Sequence, residues 1–190
     1  MVLRHLARLP DVAARCLYTT LRKVIGMTER RFTDKPDLDP TAVSALADTH
    51  PAMVENRTLF PSTVVDVDEA FKGRLLVSGK NSRKLGETVT KGKFKGYKLY
   101  GLTLEERATC PINCAVRSYC YGGGMPYARR HRIVDLNYFA LAIEDEIRDL
   151  TATGTSGLMV RLHVLGDFMS VEYVGMWADL LDEHPKLACY

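Results

Sequence analysis

Three cysteines, Cys110, Cys114 and Cys120, fall within the stretch TCPINCAVRSYCYGGGMP, and three glycines follow at Gly122, Gly123 and Gly124. Thiolate is a soft ligand that suits zinc, copper(I) and iron–sulfur clusters. Structural zinc takes four protein ligands, commonly as two close pairs. The spacing here, Cys-x3-Cys-x5-Cys, is different, and a zinc site would need His131 or His163 as its fourth ligand. A [4Fe–4S] cluster held by three cysteines is the other arrangement, with one iron left free for a substrate or cofactor. Gly122, Gly123 and Gly124 lack Cβ, so the backbone there can approach a bulky group or take positive φ. Tyr119 and Tyr121 flank Cys120, where they can shield a cluster or stack on a ligand. The plain alternative is three buried, inert thiols, since cysteine is among the most buried residue types.

A second constellation is RLHVLGDFMS. Side chains alternate along a strand, which puts Arg161, His163 and Leu165 on one face. Polar side chains on an otherwise apolar strand want partners. The strand ends at Gly166-Asp167, and ligands of open α/β sheets and barrels bind at the C-terminal ends of parallel strands. Asp167 is therefore a candidate catalytic or ligand-holding carboxylate, His163 a candidate catalytic partner, and Gly166 a point of backbone approach to a cofactor. The plainer reading makes Asp167 a turn residue and His163 a satisfied core histidine.

A third feature is basic. Between Lys72 and Lys98 the chain carries nine basic residues and one acid, Glu87, with Phe94, Tyr97 and Tyr100 interleaved. Lys91, Lys93 and Lys95 can neutralise phosphates, and Tyr97 can stack a base, so the alternative function is a zinc-stabilised nucleic-acid-binding module. Lysines also protect exposed strand edges from pairing, which is the bland account of the same residues.

These residues need a scaffold. RLLVSG reads as a short strand, and ETVTKGKFKGYKLYGL as a hairpin turning around Lys93–Gly96. RTLFPSTVVDV reads as an edge strand interrupted by Pro61. The cysteine segment reads as loop with a short helix. DLNYFALAIEDEIRDL is the clearest helix, with apolar residues at three- and four-residue steps, Asp135 as cap and Gly154 as stop. GLMVRLHVLGD is a nearly continuous apolar strand, the pattern of a parallel strand buried on both faces. Ser170 caps a second amphipathic helix, and KLACY begins another strand. Helix, strand, helix, strand makes an α/β fold: a β-hairpin followed by βαβ units with a parallel sheet. A strand starting so near the last residue points to a fragment, an incomplete or partial-barrel unit.

Upstream, residues 1–38 form a basic extension and linker, and residues 39–190 the α/β domain. Residues 1–27 read as a helical extension broken by Pro10, as a transit peptide, or as a start site placed too early. Asp39-Pro40 starts a helix that Pro51 ends. The 190-residue chain is 46% apolar and 26% charged, values of a globular protein with a real core. Its net charge of +3 neither demands nor excludes nucleic acid. No apolar run approaches a membrane span of roughly 20 residues. Five cysteines, an odd number, and no secretory signal argue for a reducing, cytoplasmic compartment, where clustered cysteines lean toward metal or catalysis.

KLGETVTKGKFKGYKLYGLTLEERATCP, CYGGGMPYARRHR and VRLHVLGDFMSVEYV together resemble the gene product 88 domain family, proteins of mycobacteriophages and bacterial genomes, over residues 78–190. That resemblance implies a phage- or prophage-type protein whose chain runs on past residue 190. The order of elements also resembles the first part of a radical S-adenosylmethionine enzyme. This second resemblance implies that Cys110, Cys114 and Cys120 hold a [4Fe–4S] cluster and that Gly166-Asp167 stands where a Gly-Gly-Glu motif orients S-adenosylmethionine. The spacing x3 then x5, where that superfamily has x3 then x2, and the single glycine before the acid depart from the pattern.

Overall fold

The computed structural model describes residues 45–190 apart from 83 and 153. The readings of residues 1–27 and of a helix starting at Asp39 lie largely outside the described residues. The described elements are α1 (Pro51–Val54), β1 (Val64–Val67), β2 (Leu76–Ser78), β3 (Lys98–Thr103), β4 (Arg130–Ile133), α2 (Leu136–Ala152), β5 (Leu158–Leu165), α3 (Val171–Glu183) and β6 (Leu187–Cys189). Strands β2-β3-β5-β6 make one sheet, with β2 antiparallel to β3 and the other neighbours parallel. A separate parallel pair, β1-β4, touches the chain just past β3 through a bridge between Leu104 and His131. The result is a mixed α/β fold without closure into a barrel.

Both long helices cover one side of the four-stranded sheet. Asp135 Oδ1 accepts from the N–H groups of Asn137 and Tyr138 and so starts α2. The helix then presents Phe139, Ile143 and Ile147, all fully buried, and ends near Gly154 at φ +71°. Ser170 Oγ accepts from Tyr173 N–H to start α3, whose buried face is Tyr173, Met176, Trp177 and Leu180. These side chains share one core with Leu102 of β3, Leu158 and Val160 of β5, and Leu187 and Cys189 of β6. Fully burying each large apolar side chain contributes about 1.5–3 kcal/mol before entropy is charged against it.

The hairpin forms as expected. Val89 N–H donates to the Tyr97 carbonyl, Leu99 N–H to the Glu87 carbonyl, and Thr88 bridges Lys98. Elsewhere the structure corrects the sequence reading. Pro51 begins a helical turn rather than ending a helix: it occupies the first turn, where its missing N–H costs nothing, and His50 Nδ1 accepts from Ala52 N–H. Strand β4 lies where only loop and short helix were expected, because RHRI alternates charges instead of apolar residues. Strand β5 is buried chiefly on its helix side, with Met159 and Arg161 only half-buried.

The register of β5 also shifts. Gly101 pairs Arg161 and Thr103 pairs Leu165, so two steps along β3 match four along β5. Simple alternation fails across this irregularity. Val160 faces the helices and Arg161 the other side, yet His163 stacks on Tyr173 of α3. Arg161, His163 and Leu165 therefore do not form one polar-lined face.

Candidate functional site

The chain leaves β3 through Leu104-Glu105-Glu106-Arg107, and all four residues are buried. Three consecutive charges inside a protein need partners. Arg57 Nε reaches Glu105 Oε1 at 2.5 Å. Arg130, from β4, takes Glu106 in a two-toothed grip, Nε to Oε2 at 2.6 Å and Nη2 to Oε1 at 3.1 Å. Thr58 Oγ1 donates to the same carboxylate at 2.7 Å. The remaining Arg130 donors tie down the segment beyond the cysteines: they bond the carbonyls of Gly122, Met125 and Ala128, and Thr63 Oγ1. The guanidinium lies 5.1 Å from the Phe60 ring centroid.

The cysteine loop rests on this charged ground. Cys110, Cys114 and Cys120 are free thiols, each half-buried. Burial pushes the Cys110 thiol up; the charges of Cys120, Cys114 and Asp167 add to that, and the Arg107 backbone N–H opposes it. Cys120 is likewise raised, first by burial, with the Gly122 N–H and the Arg107 charge pulling the other way. The three sulfurs thus lie within electrostatic reach of one another, and Cys110 also senses Asp167. They do not converge within 4.8 Å as a set of three. A tetrahedral zinc ion with Zn–S bonds of about 2.3 Å would hold its sulfurs about 3.8 Å apart. A cluster attaches each thiolate to a separate iron and spaces the sulfurs more widely. As they stand, the three sulfurs are not the closely spaced set that a single tetrahedral zinc ion needs. An open pocket of about 390 Å³ reaches Cys114, with Met53, Ile112 and Arg117 on its walls.

Gly166 and Asp167 do meet the cysteine segment. Gly166 has φ +86°, and a Cβ there would stand 2.6 Å from Thr109 Oγ1 and 2.7 Å from Leu104 Cβ. The Asp167 N–H donates to Thr109 Oγ1 at 3.4 Å, while its carboxylate accepts from Phe168 N–H and remains exposed. Tyr121 Oη donates to the Val164 carbonyl, a second tie between loop and strand. His163 faces elsewhere. Its Nε2 is 2.8 Å from Tyr173 Oη, and its ring packs against Phe168 and Tyr173. Burial holds its pKa down at about 4, so the ring is neutral at neutral pH. The Tyr173 hydroxyl, pushed up by burial, is then the donor of that bond. His131 is buried in β4, where Nδ1 donates to the Thr103 carbonyl and the ring meets Phe71 edge-on.

Of the two uses expected of the glycines, close approach is seen and positive φ is not. Residues Tyr121–Gly124 form a 3-10 turn, and none of Gly122, Gly123 and Gly124 has positive φ. Close approach is needed at Gly122, where a Cβ would press within 3.0 Å of the Glu106 carboxylate. Lys91, Lys93 and Lys95 are exposed on the hairpin turn, and Lys93 Nζ lies over the Phe94 ring. The Tyr97 ring packs directly over Gly157, where even a Cβ would come within 2.4 Å, so its ring serves the fold.

Sequence reasoning missed Glu105, Glu106, Arg107 and Arg130. The available signal was the charge run Glu-Glu-Arg directly following an apolar strand, where surface residues are ordinarily separated from the core by a turn. Among the described residues, Glu144, Glu183 and His184 are the set whose donor atoms converge within 4.8 Å. There Arg148 bonds Glu144 at 2.6 Å and already supplies a cation.

A family model described as gene product 88 matches residues 75–190, which include all three clustered cysteines, the Glu-Glu-Arg run, Arg130 and Gly166-Asp167. No curated protein and no solved structure gave a match.

Proposed function

The chain belongs to the gene product 88 family, and from that premise we propose that its Cys110–Cys120 loop holds a soft-metal centre, best fitted by an iron–sulfur cluster with an open position toward Asp167. The observation that carries this reading is the gathering of three free thiols within electrostatic reach of one another, with Cys110 also sensing Asp167, at the C-terminal ends of parallel strands β3 and β5. Such strand ends are where α/β folds place their chemistry. The fit has a chemical side as well. Thiolates are soft donors, and a cluster binds them one per iron. Cys110, Cys114 and Cys120 would hold the group; when bound, it would supply an electron-transfer centre or a Lewis-acidic iron.

This chain's own residues do the rest. Thr109 and Gly166 set the height of the loop against the end of β5. Asp167 offers an exposed carboxylate that can hold a cationic or hydrogen-bond-donating group beside Cys110. His163, neutral and bonded to Tyr173, is a positioning residue that fixes the turn after β5. S-adenosylmethionine is the small molecule that this arrangement would take if the chemistry is of radical type, with its amino group toward Asp167.

The test is iron and acid-labile sulfide analysis, with visible absorbance, of protein purified without oxygen. Iron and sulfide in near-equal amounts, lost together in Cys114→Ala, are expected. Colourless protein without bound metal after reconstitution with iron and sulfide would overturn the reading.

A further inference from the structure

Four arginines and two glutamates gather beneath the cysteine loop, and their pairing leaves charge over. Arg57 pairs with Glu105 and Arg130 with Glu106. Arg117 is buried and, among the described residues, bonds neutral acceptors alone, the Asn56 side-chain oxygen and the Met53 carbonyl. Arg107 is 1% exposed. Its Nε donates to the Arg117 carbonyl at 3.2 Å, but Nη1 and Nη2 are buried and meet no acceptor among the described residues. A buried guanidinium without a counter-charge is strongly unfavourable, as is a non-glycine residue held at φ +66°. Arg107 bears both costs at one position. It also stands next to the sulfurs: its backbone N–H reaches Cys110 and its side-chain charge acts on Cys120.

We propose that Arg107 is the built-in counter-cation of the three-thiolate centre, its two unpaired guanidinium nitrogens reserved for the sulfur side, and that the occupied centre carries net negative charge. This rests on the metal-centre reading above. Three thiolates on a dicationic [4Fe–4S] core leave one net negative charge, and a guanidinium held in low dielectric matches it. Hydrogen bonds and charges around the sulfurs are also what set the stability and potential of such centres. Arg107 touches neither substrate nor reacting atoms, so it is a positioning residue for charge.

The experiment uses the whole chain, prepared without oxygen and reconstituted with iron and sulfide. Visible absorbance and iron analysis during titration with a chelator report how tightly the cluster is held, and circular dichroism reports folding. Wild type is expected to take up iron and sulfide in near-equal amounts through its three sulfurs. Arg107→Met should weaken that binding by about 10–100-fold, the range for residues that support ligands without binding metal themselves. Arg107→Lys should recover most of the loss, because it keeps the charge. Arg107→Gln is the second neutral variant if Arg107→Met does not fold. Unchanged affinity in a folded neutral variant overturns the counter-cation while leaving the metal centre standing. A lysine variant as weak as the neutral ones also overturns it, since shape rather than charge would then be the cause. A wild type that takes up no iron and sulfide sinks the metal-centre reading itself.

Discussion

The helix-covered side of the sheet and the ground beneath the cysteine loop are both buried, and they are built from opposite materials. Between the helices and the sheet, Phe139, Ile143, Ile147, Leu158 and Val160 meet through non-directional apolar contact. Beneath the loop, the buried side chains are Glu105, Glu106, Arg107 and Arg130. Apolar contact tolerates a change of shape at modest cost, whereas paired charges have one good geometry. Arg130 illustrates this: one guanidinium fixes Glu106 at the loop's base and three carbonyls at its far end. The apolar side secures the fold. The charged side selects a single path for a segment that has no sheet or long helix to guide it.

The largest effect should come from breaking the charged side. Glu106→Ala leaves Arg130 buried without its carboxylate and should cost about 3–5 kcal/mol, measured by urea unfolding. Phe139→Ala on the apolar side should cost a similar amount, about 3–5 kcal/mol. The contrast lies in thiol alkylation below the unfolding transition, which only Glu106→Ala should accelerate. Equal alkylation in the two variants would erase the distinction between the regions.

Gly166→Ala tests the seam between them. Its φ of +86° and the 2.6 Å approach to Thr109 Oγ1 leave no room for a methyl group. Roughly 1–3 kcal/mol of backbone strain is expected, with a lower melting temperature and faster labelling of Cys110. A variant as stable as wild type would show that loop and strand are not held together there.

The smallest effect is a slope. His163 has its pKa pushed down to about 4 by burial, against 6.5 ordinarily. Between those values the unfolded chain binds a proton that the folded chain refuses. Its contribution is therefore fully present above pH 6.5 and is lost as pH falls toward 4, by up to ~1.4 kcal/mol per pH unit. Stability measured from pH 7 to 4.5 should flatten by that slope in His163→Gln. An unchanged slope would place the sensitivity elsewhere.

The apolar side was readable because periodicity is a local signal. Leu136 to Leu150 recur at helical steps, Asp135 and Ser170 cap as expected, and GLMVRLHVLGD became β5. Strand β4 escaped because Arg130 is buried through an ion pair and His131 through a bond to a backbone carbonyl, which leave no apolar pattern in RHRI. The irregular register of β5 was hidden for a similar reason: which residues of β3 face Arg161 and Leu165 is a long-range fact. Of the candidate site, the cysteines, Gly166 and Asp167 could be singled out by type and spacing. Their charged support could not, since Glu106 and Arg130 are separated in sequence and meet only in the fold.

The contact of Gly166 with Thr109 and Leu104 has a consequence for how such chains can vary in length. The loop is pinned at its entry, by Thr109 against Gly166, and at its exit, by Gly122 against Glu106 and Arg130. Between the pins, Pro111, Ile112 and Asn113 are exposed. A residue added there would lengthen an arc whose two ends, at Thr109 and at the buried Arg117, stay anchored. One residue added between Thr103 and Thr109, by contrast, would move the first pin out of register with the strand that holds it.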